Sequence, residues 1–195
     1  VTGVQTCALP IWWFAIIAIF MAVYIGDEFS SSYSSGYIKN LISYGHKRYE
    51  IVIAKFIGTY AGIIIISLII PILITTINTF MNGCGEPFKA SSFVFSLRAA
   101  ILMTFIYIGI ASIGIFMLFV SRNVIFSELA FVFIDPLNRI ITFFAMKNPA
   151  IHRIYSNTIF GQVNTALSYN ITLFQGLKVI IISLTTIIVS ICLSI

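Results

Sequence analysis

Charge is what this sequence has least of. Six Asp and Glu stand against eleven Lys and Arg in 195 residues, so 9% of the chain is charged, where a soluble domain carries about 25%. That scarcity excludes much chemistry. Asp27 and Glu28 are adjacent, and on a helix such neighbours point about 100° apart rather than converging. The two histidines, His46 and His152, fall in separate polar segments, and there is no H-E-x-x-H pair, so no metal site is expected. Cys7, Cys84 and Cys192 show no C-x-x-C or Cys/His spacing and read as isolated thiols. A G-x-x-x-x-G-K-[ST] phosphate loop is missing too, so no cofactor is expected on this chain. No catalytic constellation stands out, and no repeat at a fixed period.

What the chain has in quantity is apolar length. Hydrophobic residues make up 59% of it and the mean hydropathy is +1.06. Its apolar runs reach the ~20 residues that cross a bilayer. Five spans are expected, at 12–26, 51–80, 93–120, 124–146 and 177–195, giving an all-α polytopic membrane protein. The net charge of +5 comes from basic residues at the ends of apolar segments, where they anchor helices and meet anionic lipid. Nucleic acid is not an expected partner. Residues 1–11 (VTGVQTCALPI) differ in character from the Ile/Phe-rich remainder and resemble translated sequencing-adapter read-through. They are expected to be non-native and are set aside. Residues 12–195 then form a single transmembrane domain, with one further N-terminal helix expected before it, for a native total of six.

The segment 51–80 exceeds ~30 Å of hydrocarbon at ~1.5 Å per residue, so it is expected to tilt, to kink at Pro71, or to project from the membrane. Residues 81–92 read as a Gly/Pro/Asn loop. In 93–120, Arg98 can snorkel to an interface, and Gly109, Ser112 and Gly114 permit close helix packing. Ser121-Arg122-Asn123 reads as a tight turn. The middle of 124–146 carries Asp135, Pro136 and Arg139. Asp135 and Arg139 are four apart and can pair on one helix face, as a translocation or gating element would require. The plainer expectation is that the helix ends or breaks at Pro136, bringing both charges near an interface. Residues 147–176 mix apolar and amide side chains without a long apolar run, so short interfacial or re-entrant helices are expected. Asn170-Ile171-Thr172 matches a glycosylation sequon, a tripeptide common by chance.

Between the first two spans lies a polar island, residues 27–49, DEFSSSYSSGYIKNLISYGHKRY. Within it, Gly36 to Ser43 reads as a short amphipathic helix. Ile38, Leu41 and Ile42 fall on one face, and Lys39, Asn40 and Ser43 point elsewhere. With the basic pair Lys47-Arg48 behind it, such a helix suits docking in a groove of a partner protein, although a solvated loop helix has the same pattern.

The island also resembles a known family. Glu28-Phe29, then Gly36-Tyr37-Ile38-Lys39-Asn40-Leu41-Ile42-Ser43-Tyr44-Gly45, then Lys47-Arg48 and Ile51 to Lys55 are similar to the permease subunits of type-2 ABC exporters. Those show an acidic-aromatic pair, a G-x-I-K-N-L-(L/I)-S-like segment, a basic residue and a Lys opening the next span. The resemblance implies that Gly36 to Ser43 is a cytoplasmic coupling helix between the second and third of six spans. Gly36, Ile38, Lys39, Leu41, Ile42, Lys47 and Arg48 would then contact a separate ATPase subunit, which carries the ATP and Mg. It further implies a second permease copy or related subunit, the lipid bilayer of a bacterial cell membrane as surroundings, and export of a peptide antibiotic or other amphiphile. The chain itself is then not an enzyme.

Charge does not fix orientation. A cytoplasmic island puts Lys39, Lys47, Arg48, Lys55 and Arg122 inside, and Lys89, Arg98, Lys147, Arg153 and Lys178 outside, so the positive-inside rule is nearly silent. The alternatives are a membrane-embedded enzyme or passive membrane subunit with no ATPase partner, and a secondary transporter. The last would carry matched ionisable groups in two inverted halves, and the Asp135 region has no symmetric counterpart.

Overall fold

A backbone threaded through Ile, Leu, Phe and Val with few polar neighbours must satisfy its own N–H and C=O groups, and a helix does so within one segment. The computed structural model describes residues 17, 19–28, 43–45, 47–82, 90–121, 124–168 and 170–194, and all regular structure among them is helical. Seven elements are labelled here: α1 (19–28), α2 (Arg48–Asn82), α3 (Ala90–Ser121), α4 (Val124–Lys147), α5 (Pro149–Tyr155), α6 (Ile159–Ala166) and α7 (Leu173–Ser194).

Three of these are long and apolar enough to cross a membrane: α2 over Tyr49–Leu73, α3 over Leu97–Ser121, and α7 over Leu173–Ser194. They answer to the expected spans 51–80, 93–120 and 177–195. The α3 window is 67% buried against 22% for α2 and 17% for α7, so α3 is the axis and the others wrap it. Residues lining α3 at helical spacing, Met103, Ile106, Ile110 and Leu118 among them, are buried all along its length.

Antiparallel packing of α2 on α3 is fixed by two hydroxyl pairs. Tyr60 Oη lies 2.7 Å from Ser112 Oγ and Ser67 Oγ lies 3.1 Å from Thr104 Oγ1. Near one end of this pair, Phe56 stacks on Phe119 with ring centroids 6.3 Å apart. Interhelical hydroxyl bonds are a recurrent way of joining helices in an apolar medium. Ser112 donates to the Ile108 carbonyl of its own helix and so accepts from Tyr60, while of Ser67 and Thr104 one gives its proton to the other and the second gives its own to a carbonyl of its helix, at Ile64 or Ala100.

The fold departs from the expected boundaries in three places. Asp27 and Glu28 belong to α1, beyond the point where the first apolar segment was expected to stop. The expected loop 81–92 is shorter at both ends: α2 is one helix of 35 residues, ~52 Å long, that contains Pro71 and reaches Asn82, and α3 begins at Ala90. The expected break at Pro136 is absent. α4 runs unbroken from Val124 to Lys147 with Pro136 inside it. Breaking it would have exposed backbone groups against apolar neighbours, a larger cost than the one hydrogen bond a proline removes. α4 carries Glu128, Asp135, Arg139 and Lys147, and it is not among the three helices apolar enough to span a membrane. Of Ser121-Arg122-Asn123, expected as a tight turn, Ser121 is helical as the last residue of α3, and Arg122 and Asn123 lie outside the described residues.

The two ends of the bundle differ. α2 begins and α3 ends at the island end. At the other end α3 begins, α4 terminates and α7 starts, and α5 and α6 are attached there.

Candidate functional site

The base of the island is closed by an ion pair. Lys55 Nζ lies 2.8 Å from Glu28 Oε1, the lysine side chain 16% exposed and the glutamate 38%. Lys55 leaves α2 from its second turn and Glu28 is the last described residue of α1, so the bond ties together the two helices that flank the island. Above it, the Tyr24 side chain, hydroxyl end included, occupies the space a side chain at Gly62 would need. Ile17, Met21, Ala22 and Ile25 form the buried face of the α1 strip, while Ile19, Phe20 and Val23 are exposed.

α2 starts with a backbone bond that its sequence supplies. The Lys47 N–H donates to Glu50 Oε2 at 3.3 Å, while the Lys47 carbonyl accepts from the Glu50 N–H at 3.0 Å. A glutamate three residues in, reaching back to the first N–H, is half of a capping box. The Lys47 ammonium sits 5.8 Å from the Tyr49 ring centroid, so it is exposed but held near the helix start.

Gly36, Ile38, Lys39, Leu41 and Ile42, the expected docking face, lie outside the described residues, as does the side chain of Arg48. At the C-terminal edge of that segment, Ser43 is helical and Gly45 has φ +87°. That is the left-handed conformation in which a helix ends on glycine.

The second candidate region is at the opposite end. α5 and α6 form a hairpin, and each turn of it is locked by side chains. Asn148 caps α5, its Oδ1 accepting from Ala150 N–H at 3.1 Å, and Pro149 occupies the first helical position, where a missing N–H costs nothing. Thr158 caps α6 through Gly161 N–H and turns its own hydroxyl to the Tyr155 carbonyl at 2.7 Å. Gly161 lies so close to the Tyr155 carbonyl that a Cβ would overlap it. Gln162, 2% exposed, donates from Nε2 to the Ser156 carbonyl.

How far the hairpin reaches is set by what it touches. Ile159, at the start of α6, packs where a Cβ of Gly109 would be, and the Ser183 carbonyl is 3.5 Å from the same point. Gly109 is the midpoint of the Leu97–Ser121 window, and Ser183 is close to the midpoint of Leu173–Ser194. The chain then returns to its starting end, where Arg98 Nη2 donates to the Ser168 carbonyl at 2.8 Å, its guanidinium 5.4 Å from the Phe95 ring. The hairpin thus enters and leaves at one end and turns halfway along the bundle. Residues 147–176 form short helices, as expected, folded back against the bundle.

α4 holds the outer side of the hairpin. The Tyr155 hydroxyl donates to Asn138 Oδ1 at 2.8 Å and accepts from Thr142 Oγ1 at 3.0 Å. Asn138 and Thr142 are one turn apart on α4. Arg139 is exposed beside them; Asp135 lies one turn earlier on the same unbroken helix, with its side chain outside the described residues. By register, Glu128, Asp135, Arg139 and Thr142 run down one flank of α4. Sequence alone singles out none of Tyr155, Asn138, Thr142 and Gly161. The signals present are the Asn148-Pro149 and Thr158 helix starts, each a cap with a mechanism.

No protein-family model, curated protein or solved structure matches this chain.

Proposed function

We propose that the chain is the membrane-spanning permease subunit of an ATP-driven exporter of the ABC type, with Gly36 to Ser43 as its coupling helix. The observation that carries this reading is the Glu28–Lys55 ion pair at 2.8 Å. Both residues belong to the pattern by which the island resembles type-2 ABC permeases, one before the coupling segment and one after it, and they are bonded across its base. A push on the island is then delivered to α1 and α2 together.

On this reading, closure of a partner ATPase dimer presses the apolar face of Ile38, Leu41 and Ile42, with Lys39, Lys47 and Arg48 setting register by charge. α2 passes the displacement to α3 through the Tyr60–Ser112 and Ser67–Thr104 contacts. The polar flank of α4, with Asp135 and Arg139, lines the path taken by the substrate, because ionisable groups on a helix within a membrane face water or a partner rather than lipid. A second permease copy or a related subunit supplies the other wall. The substrate class is a peptide antibiotic or another amphiphile, the setting is a bacterial cell membrane, and ATP and Mg are held by the partner.

The test is co-purification with a phosphate-loop ATPase encoded in a neighbouring reading frame. Ile38→Asp or Leu41→Asp is expected to abolish co-purification, because either buries a carboxylate in an apolar groove, while membrane insertion stays intact. Unchanged co-purification overturns the docking role.

A further inference from the structure

The hairpin end of the bundle carries a surface that neither water nor the hydrocarbon of a bilayer accommodates. In the last turns of α4, Phe143, Phe144 and Met146 are 55%, 54% and 79% exposed, and Ile154 of α5 is 71% exposed. Among them stand two cations and an imidazole, all exposed: Lys147, Arg153 and His152. The Lys147 ammonium lies over the Phe143 ring, 4.4 Å from its centroid, so the lysine stem runs along the aromatic surface with its charge at the edge. Asn148 and Pro149 start α5 immediately after α4, so Lys147 and Arg153 stand on either side of this corner, Lys147 ending α4 and Arg153 on the second turn of α5.

Apolar groups of this size left in water make an adhesive patch. Lys147 and Arg153 placed among acyl chains would each be costly. The headgroup layer suits both, with side chains such as Phe143 and Met146 against acyl carbon and the cations among phosphates. The charge of this end decides the kind of lipid. Lys89, Arg98, Lys147, Arg153 and Lys178 all belong to this end in chain order, Glu86 is the acid in the α2–α3 connection, and no acidic residue follows Asp135. We infer that the α4–α5 corner is a docking surface for anionic phospholipid, with Lys147 and Arg153 taking the headgroup phosphate and Phe143, Met146 and Ile154 the glycerol and upper acyl region. The inference needs the chain to be embedded in a membrane, and it does not depend on an ATPase partner.

The experiment uses the full chain in neutral detergent, titrated with phosphatidylglycerol or with phosphatidylcholine while the thermal unfolding midpoint is followed. Phosphatidylglycerol is expected to raise the midpoint at about tenfold lower concentration than phosphatidylcholine, as a pair of cations at an anionic surface implies. High salt is expected to remove the difference. Lys147→Gln with Arg153→Gln is expected to bring phosphatidylglycerol to the phosphatidylcholine level, while Lys147→Arg with Arg153→Lys keeps the preference. Equal action of the two lipids overturns the inference, as does a preference that survives the double glutamine variant. Inorganic phosphate alone is expected to leave the midpoint unmoved; if it reproduces the phosphatidylglycerol effect, the surface is an anion site and not a lipid one.

Discussion

Glu28 and Lys55 stand 27 residues apart in sequence and 2.8 Å apart in space, and what that pair contributes depends on its exposure. With the glutamate side chain 38% exposed, water screens the attraction, so a coupling of about 0.5–1 kcal/mol is expected from a double-mutant cycle of Glu28→Gln and Lys55→Gln. A coupling indistinguishable from zero would leave the island's base held by packing, of Tyr24 over Gly62 and of the buried face of Met21, Ala22 and Ile25. Two glycines offer a sharper contrast. A Cβ at Gly161 would overlap the Tyr155 carbonyl, part of the backbone, whereas a Cβ at Gly109 would meet the end of the Ile159 side chain. A side-chain terminus yields more readily than a peptide. Gly161→Ala is therefore expected to cost about 1–3 kcal/mol and Gly109→Ala less, read as thermal midpoints in the same detergent. Equal midpoints, or the reverse order, would mean that the hairpin turn is not as tight as its contacts indicate.

At the scale of elements, the long helices were legible and the way two of them are used was not. The segments 51–80, 93–120 and 177–195 announce α2, α3 and α7 because apolar length leaves the backbone one economical choice. Gly109 and Ser112 likewise signal close packing, and each is met by a partner element: Ile159 of α6 at the first and Tyr60 of α2 at the second. Pro136 misled, since a proline reads as a stop only if the alternative to a helix is a solvated loop. The α5–α6 hairpin was expected in kind but not in detail. Its depth depends on Tyr155 finding Asn138 and Thr142, and on Ile159 finding Gly109, contacts that no local pattern encodes. Removing the hydroxyl by Tyr155→Phe is expected to cost about 1 kcal/mol, lowering the midpoint by roughly 2–4 °C for a chain of this size. Hydrogen exchange of α5 amides should quicken while that of α7 does not. If α5 exchanges as before, its seat on α4 is held by packing and not by this network.

The whole molecule has two unlike ends joined by α3. At one, the island is framed by α1 and α2 and tied at its base by an ion pair; at the other, the hairpin turns back halfway along the bundle beneath a basic corner. Under a transport reading the ends divide the work: force enters at the island, and the hairpin and the flank of α4 border the path. Composition assigns no direction to this axis, because basic residues divide nearly evenly between the ends. The most direct measurement is site-specific photo-cross-linking in native membranes, with the cross-linker placed at Leu41 in one variant and at Ile154 in another and adducts examined for a phosphate-loop ATPase. An ATPase adduct at Leu41 and none at Ile154 is the expected result. No adduct at Leu41, or equal adducts at both positions, would contradict the assignment of the island as the ATPase's handle.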